Sequence, residues 1–208
     1  MPVLAKPDEM AGEVGRVDPR WTSPKRLWAS DLEQMHLWLN APHVRRRWYE
    51  ERTSYQEIEE GYLPRIDGRE APRPFVILHK DKAIGYIQSY LISDEGYASL
   101  VEVEDSAGVE LFVGETEHLY RTLGKHIVRS FLFEHVFSDL GIAVCVTGPC
   151  VTGPDATGPE PKNAAAIRAY EKAGFRYFKS THVPGEPEPE DLMMLGREGF
   201  ERDVVGQA

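Results

Sequence analysis

Apolar and polar positions change their period along the chain, and the changes mark out its elements. Between Trp28 and Leu39 the apolar residues Leu32, Met35, Trp38 and Leu39 share one face of a helix, with Ser30 placed as N-cap and Glu33 completing a capping box. The pattern stops at Asn40, ahead of Pro42. Shorter helices are expected from Val44 to Tyr49 and from Ser54 to Tyr62. The period then shortens: Pro74 to His79 and Ile84 to Ile92 read as strands joined by the hairpin-length Lys80-Asp81-Lys82-Ala83. A strand from Leu100 to Gly114 leads to a helix from Lys125 to Phe137. Ile142 to Val146, an apolar run between Gly141 and Gly148, suits a buried strand. Asn163 to Ala173 reads as a helix closed by Gly174, and Phe175 to Thr181 and Leu192 to Leu195 as the last strands. Helices, a run of antiparallel strands, then helix, strand, helix, strand imply an α+β (mixed α/β) fold with helices flanking one sheet.

The stretch from Gly108 to Arg129 gathers the candidate chemistry. It is a strand, a turn around Tyr120 to Gly124, and a helix whose free N–H groups and positive dipole end form a site for a phosphate-bearing ligand. Glu110 lies one strand-length away. An acid beside an anion cradle points to a group-transfer enzyme.

Composition narrows this. The 208 residues fit one domain, residues 24–208, preceded by a mobile arm, residues 1–23. No run reaches the ~18 apolar residues of a membrane span, and Met1 to Arg20 lack the apolar block of a signal peptide, so a cytoplasmic protein is expected. A net charge of −10 disfavours nucleic acid and favours a cationic partner. Cys145 and Cys150 make neither a disulfide framework nor a metal site. Thr-Gly-Pro recurs at Thr147, Thr152 and Thr157, so an exposed loop is expected between Val146 and Asn163.

The run Ala166 to Phe175, with Pro161-Lys162-Asn163 before it, resembles the last conserved block of the GNAT acyl-CoA-dependent N-acetyltransferases. A narrower resemblance, to the aminoglycoside 6′-N-acetyltransferases, is carried by Trp38-Leu39-Asn40 with His43-Val44 and Trp48, by Gly61-Tyr62-Leu63-Pro64, by Ile84 to Tyr90 and by Gly108 to Glu115. It covers the chain from about Arg26 to Leu195 in the family's order. It implies a central, mostly antiparallel sheet splayed in its middle, acetyl-CoA as cosubstrate and a polycationic aminoglycoside as acceptor. It does not decide between a monomer and a homodimer.

By this resemblance Glu110 stands where the family usually has an Asp that takes a proton from the attacking ammonium. The carboxylate is kept, about 1.5 Å longer in reach. Tyr170 matches the tyrosine that returns a proton to the departing thiolate. Backbone groups of Leu111 and Val113 on the splayed strand, Arg121, Thr122, Gly124 and Lys125 in the pyrophosphate loop, and Asn163 at the following helix start are the expected coenzyme contacts. That loop, Leu119-Tyr120-Arg121-Thr122-Leu123-Gly124, keeps only the second family glycine; Thr122 replaces the first. Trp48, Tyr62 and Gln88 are the expected acceptor contacts. On charge, Glu102, Glu104, Asp105 and Asp191 join them, with Asp94, Glu95, Glu186, Glu188 and Glu190 nearby. Arg45 to Arg47 read as a solvated helix face or as a coenzyme-phosphate contact. Direct transfer is expected, because no Cys or Ser stands beside an obvious His base. Two rival readings accompany this one: acylation of a hydroxylated diamine in siderophore assembly, and a GNAT-like fold that binds ligand without turnover.

Overall fold

The computed structural model describes residues 22–46, 48, 51–93, 101–139, 141–148, 163–182 and 190–205. They form one seven-stranded sheet in the order β1-β2-β3-β4-β5-β7-β6. The strands are β1 Thr22–Arg26, β2 Arg73–His79, β3 Lys82–Leu91, β4 Ser106–Val113, β5 Val144–Thr147, β6 Arg176–Thr181 and β7 Glu190–Gly196. Every pairing is antiparallel except β4 with β5. Among the described residues six α-helices accompany the sheet: α1 Leu32–Leu39, α2 Pro42–Arg45, α3 Tyr55–Ile66, α4 Leu123–Phe131, α5 Ala164–Ala173 and α6 Arg197–Val205.

Alternation along β3 and β4 sorts side chains onto two faces. Ile87, Ala107 and Val109 enter a core with Ile127, Val128, Phe131, Tyr170 and Phe175. Tyr86 and Phe112 point the other way, into a second core with Leu32, Met35, Trp38 and Leu39 of α1 and Ile58 and Tyr62 of α3. Gly124 sits where α4 meets α5: a Cβ there would stand 2.7 Å from Ala169 Cβ, so the absent side chain sets how closely the helices approach.

Several expected details differ. The start of α1 is a 3₁₀ turn, Ala29–Asp31, and the residue reaching back is Asp31, whose Oδ2 accepts from the Trp28 N–H at 3.0 Å; Ser30 is not the cap. A capping box forms instead at α3, where Ser54 Oγ accepts from the Glu57 N–H and Glu57 Oε2 accepts from the Ser54 N–H. The helix expected from Val44 to Tyr49 is the single turn α2, begun by Pro42. Beyond Phe131, α4 continues as a π-helical turn, Leu132–Val136. Two elements were not anticipated. β1 begins at Thr22, inside the stretch expected as an arm, and its sequence Thr-Ser-Pro-Lys-Arg has no alternation to read. α6 packs Phe200 against Phe137 at 5.2 Å and is tied by Arg197, whose Nε donates to Ile142 O at 2.8 Å. The Thr-Gly-Pro repeats after Gly148, and most of the arm, lie outside the described residues.

Candidate active site

The site begins with a break in the sheet. β4 pairs with β3 along its whole length, from Gly85↔Val113 to Leu91↔Ala107, but with β5 only at Ser106↔Val144, Ala107↔Cys145 and Gly108↔Val146. Ile92 N–H donates to Ser106 O at 3.0 Å, and Gly114 N–H donates to Ile84 O at 2.9 Å. The even-numbered residues of β4 therefore spend their backbone groups on the β3 side, and Leu111 and Val113 turn theirs to the other edge, where no strand pairs with them among the described residues. An open strand edge is a template for an extended amide-bearing ligand. At its end His43 Nε2 donates to Val113 O at 3.0 Å.

Glu110 is half-buried on the face of the second core. Gln88, its cross-strand partner, donates from Nε2 to Glu110 Oε2 at 2.6 Å, and the Tyr90 hydroxyl donates to Oε1 at 3.0 Å. Gln88 Oε1 in turn accepts from the Tyr86 hydroxyl at 2.7 Å. Tyr90 reaches the carboxylate by lying over Gly108, where an added Cβ would come within 2.3 Å of its ring. The glycine is needed for that approach.

Tyr170 comes from the other side, on α5, with its ring 5.3 Å from Phe175. Burial pushes its phenol well above the ordinary value, a hydrogen bond with Thr147 pulls the other way, and the charge of Glu110 adds to the rise. The phenol is therefore protonated at every working pH, a donor and not a base. Its partner Thr147 is buried as the last residue of β5 and not in the exposed loop expected there.

The loop expected to hold the coenzyme follows β4. Tyr120 and Thr122 hold φ of 58° and 60°, left-handed values for side-chain-bearing residues, and Thr122 is the residue before α4. Thr122 Oγ1 donates to Arg121 O at 2.6 Å, and Arg121 Nε to Glu117 O at 3.2 Å. Both side chains are exposed, and Lys125 is half-buried on α4. Asn163 occupies the N-cap position of α5 but makes no side-chain cap bond; its carbonyl accepts from Ile167 N–H at 3.0 Å.

Of the expected acceptor residues, Gln88 touches Glu110 directly. Half-buried Trp48 packs edge-on against Phe112 and Tyr86, at 5.0 and 5.9 Å, and lines that side. Tyr62 is 3% exposed, a backing for the wall rather than its surface. Glu102 is ion-paired with Lys179 at 3.5 Å, and Asp191 accepts from Ser180 Oγ. Glu104 and Asp105 are exposed just before β4, with Asp105 ~17 Å along the strand from Glu110 by strand rise. Arg45 is half-buried and Arg46 exposed; Arg47, Asp94, Glu95, Glu186 and Glu188, and the Glu190 side chain, lie outside the description. Sequence reasoning missed Tyr86, Tyr90 and Thr147 as parts of the site. The alternation Tyr86-Ile87-Gln88-Ser89-Tyr90, three hydrogen-bonding side chains on one strand face, was the available signal for the first two.

Comparison with known proteins agrees with this geometry. The acetyltransferase (GNAT) domain model matches residues 28–183. The aminoglycoside N(6′)-acetyltransferase type 1 of Klebsiella pneumoniae is 32% identical over 176 residues, covering 83% of this chain and 81% of that protein. Among solved structures, AAC(6′)-Ib in complex with paromomycin and acetyl-CoA superposes with a TM-score of 0.74 at 29% identity, covering 88% of this chain and 97% of that one. Its complex with coenzyme A and kanamycin gives 0.73 at 29% identity, covering 87% and 98%. No helix among the described residues is long and apolar enough to cross a membrane. With the family model spanning residues 28–183 and a relative 32% identical over 83% of its length, this chain belongs to the GNAT family of acetyltransferases.

Proposed function

We propose that the protein transfers the acetyl group of acetyl-CoA directly to the 6′-amine of an aminoglycoside. The observation that carries this is the end of the β4–β5 pairing at Gly108, with Glu110 two residues beyond it on β4 and the Tyr170 phenol hydrogen-bonded to Thr147 at the end of β5. The outward backbone groups of Leu111 and the N–H of Val113, whose carbonyl is taken by His43, suit the amide-bearing arm of the coenzyme, and the N-terminal turn of α4 its pyrophosphate. Trp48 offers a flat wall, and Glu110 the negative charge a sugar ammonium needs.

Glu110 takes the proton from the bound ammonium, which frees the lone pair for attack on the thioester carbonyl. The carbonyl oxygen gains negative charge as the C–N bond forms, and a gap-facing N–H of β4 stabilises it. On collapse the C–S bond breaks, Tyr170 donates its proton to the leaving sulfur, and the second proton lost by the nitrogen as it becomes an amide returns through solvent to restore the phenol. A covalent acyl-enzyme is not part of this reading, since Cys145 is fully buried and burial pushes its thiol far up, away from the nucleophilic thiolate.

A coenzyme A release assay with kanamycin and with hydroxylysine tests the acceptor: turnover with kanamycin alone is expected, and turnover only with hydroxylysine would move the assignment to siderophore chemistry. No release with either, together with acetyl-CoA raising the melting temperature, would leave the non-catalytic binding reading. Glu110→Gln should lower kcat by roughly 10²-fold or more. An unchanged rate would remove Glu110 from the mechanism.

A further inference from the structure

Tyr86 is 0% exposed, and its ring is enclosed by Trp48, Tyr62 and Phe112 at centroid distances of 5.9, 5.6 and 5.5 Å. No acceptor can touch it. Its hydroxyl nevertheless ends a chain of hydrogen bonds that reaches the candidate base, at 2.7 Å to Gln88 Oε1 and then 2.6 Å from Gln88 Nε2 to Glu110 Oε2.

Chemistry fixes the direction of each bond. An ionised carboxylate only accepts, so the NH₂ end of Gln88 must face Glu110. The amide oxygen then faces Tyr86, and the phenol has to be the donor. An amide that lost this partner could rotate by half a turn and set its oxygen against the carboxylate, turning an attraction into a repulsion. Tyr90 holds the other oxygen, Oε1, at 3.0 Å from its place over Gly108. Tyr86, Gln88 and Tyr90 all stand on β3, so together they draw the long Glu side chain toward β3 and fix which oxygen faces which neighbour.

The geometry points to Tyr86, Gln88 and Tyr90 as positioning residues of the acid–base apparatus, with Tyr86 acting through the orientation of the Gln88 amide. This rests on the reading of Glu110 as the base. It moves Gln88 from an acceptor contact to the residue that presents the carboxylate, and it gives a catalytic consequence to a hydroxyl inside the aromatic wall. A structural hydroxyl would affect stability alone; an orienting one also moves the protonation behaviour of the carboxylate it serves.

The test is steady-state kinetics of the full chain with acetyl-CoA and kanamycin, as a function of pH, for Tyr86→Phe, Gln88→Leu, Glu110→Gln and the doubles Tyr86→Phe/Gln88→Leu and Tyr86→Phe/Glu110→Gln. Tyr86→Phe is expected to lower kcat roughly tenfold, the scale of one lost hydrogen bond, with both KM values within about twofold. The acidic limb of its pH profile should move to higher pH, because a carboxylate with a weaker donor is protonated more readily. Both doubles should match their Gln88→Leu and Glu110→Gln parents if the hydroxyl acts on the reaction through the Gln88 amide. Wild-type kcat and pH profile in Tyr86→Phe, beside an impaired Glu110→Gln, would overturn this inference and leave the base reading standing. A further tenfold loss on adding Tyr86→Phe to Glu110→Gln would overturn it as well, by showing that the hydroxyl works through packing. Full activity in Glu110→Gln would sink the base reading and the inference with it. If Tyr86→Phe folds poorly by thermal melt, Tyr90→Phe carries the test from the other carboxylate oxygen with the same expected movement of the limb.

Discussion

The two ends of the β4 edge are built on opposite principles. At Glu110 the backbone is ordinary paired strand, and the position of the acid is set by side chains: two donors on the carboxylate and a third behind one of them. At the loop before α4, proposed to hold the coenzyme, the backbone itself is unusual, with Tyr120 and Thr122 in left-handed conformations that cost a side-chain-bearing residue about 1–2 kcal/mol each. The acid is over-determined, whereas the anion cradle is strained. The difference follows from what each end must hold. A proton acceptor has to sit at a definite place and tolerates crowding by hydrogen bonds, while a phosphate is met by backbone N–H groups, which need a turn more than they need side chains.

Three experiments break or sharpen this contrast, beside those already given. The largest effect is expected at the junction of the two ends. Tyr170→Phe should lower kcat by roughly 10–10²-fold with little change in either KM, because the phenol acts only as the C–S bond breaks. Its alkaline limb should match the wild type, since the buried phenol is protonated throughout; a displaced limb would show that Tyr170 titrates in the working range.

A smaller effect of opposite sign is expected at the loop. Thr122→Gly removes the β-branched side chain from a φ of 60° and should raise the melting temperature by about 2–4 °C, the scale of ~1 kcal/mol in a chain of this size. Isothermal titration should show acetyl-CoA binding several-fold tighter. Weaker binding would mean that the Thr122 hydroxyl, now on Arg121 O, is itself a coenzyme contact.

The smallest effect is a pH dependence beside the loop. The imidazole of His79, at the end of β2, lies 5.4 Å from that of His118 in the turn leading to Tyr120. Burial, then His118, then Lys80 hold its pKa below the ordinary histidine value. A depressed folded pKa makes the unfolded chain bind more protons, so stability present above about pH 6.5 should fall as pH drops from there through the folded value. Melting temperature against pH for wild type and His79→Gln checks this. A slope that survives the substitution would assign the effect to other groups.

Much of the fold was legible because period and punctuation are local. Leu32, Met35, Trp38 and Leu39 announce the helix that buries them, and Gly174 ends its helix with a φ of 117°. β1 was not legible, because Thr22 to Arg26 are strand only through their partner β2. The α1 cap was misread for a related reason: Ser30 and Asp31 both suit a cap, and the 3₁₀ turn decides between them. In the site, Glu110 and Tyr170 came from resemblance; Glu110 lies on β4 two residues past its last pairing with β5, and Tyr170 is buried on α5 beside Thr147 at the end of β5. The acids chosen on charge scatter, with Glu102 on Lys179 and Asp191 on Ser180, since charge along a chain does not say which way a side chain turns.

The sequence by itself determined the order of most helices and strands and the family, because those depend on patterns a few residues long and on motifs read in line. Tertiary structure alone decided that β4 leaves β5 after Gly108, that Tyr86 speaks to Glu110 through Gln88, and that Thr147 meets Tyr170. Each of these joins residues on different elements, or along one strand face, and hydrogen-bond geometry exists only once the sheet and its helices have been brought together.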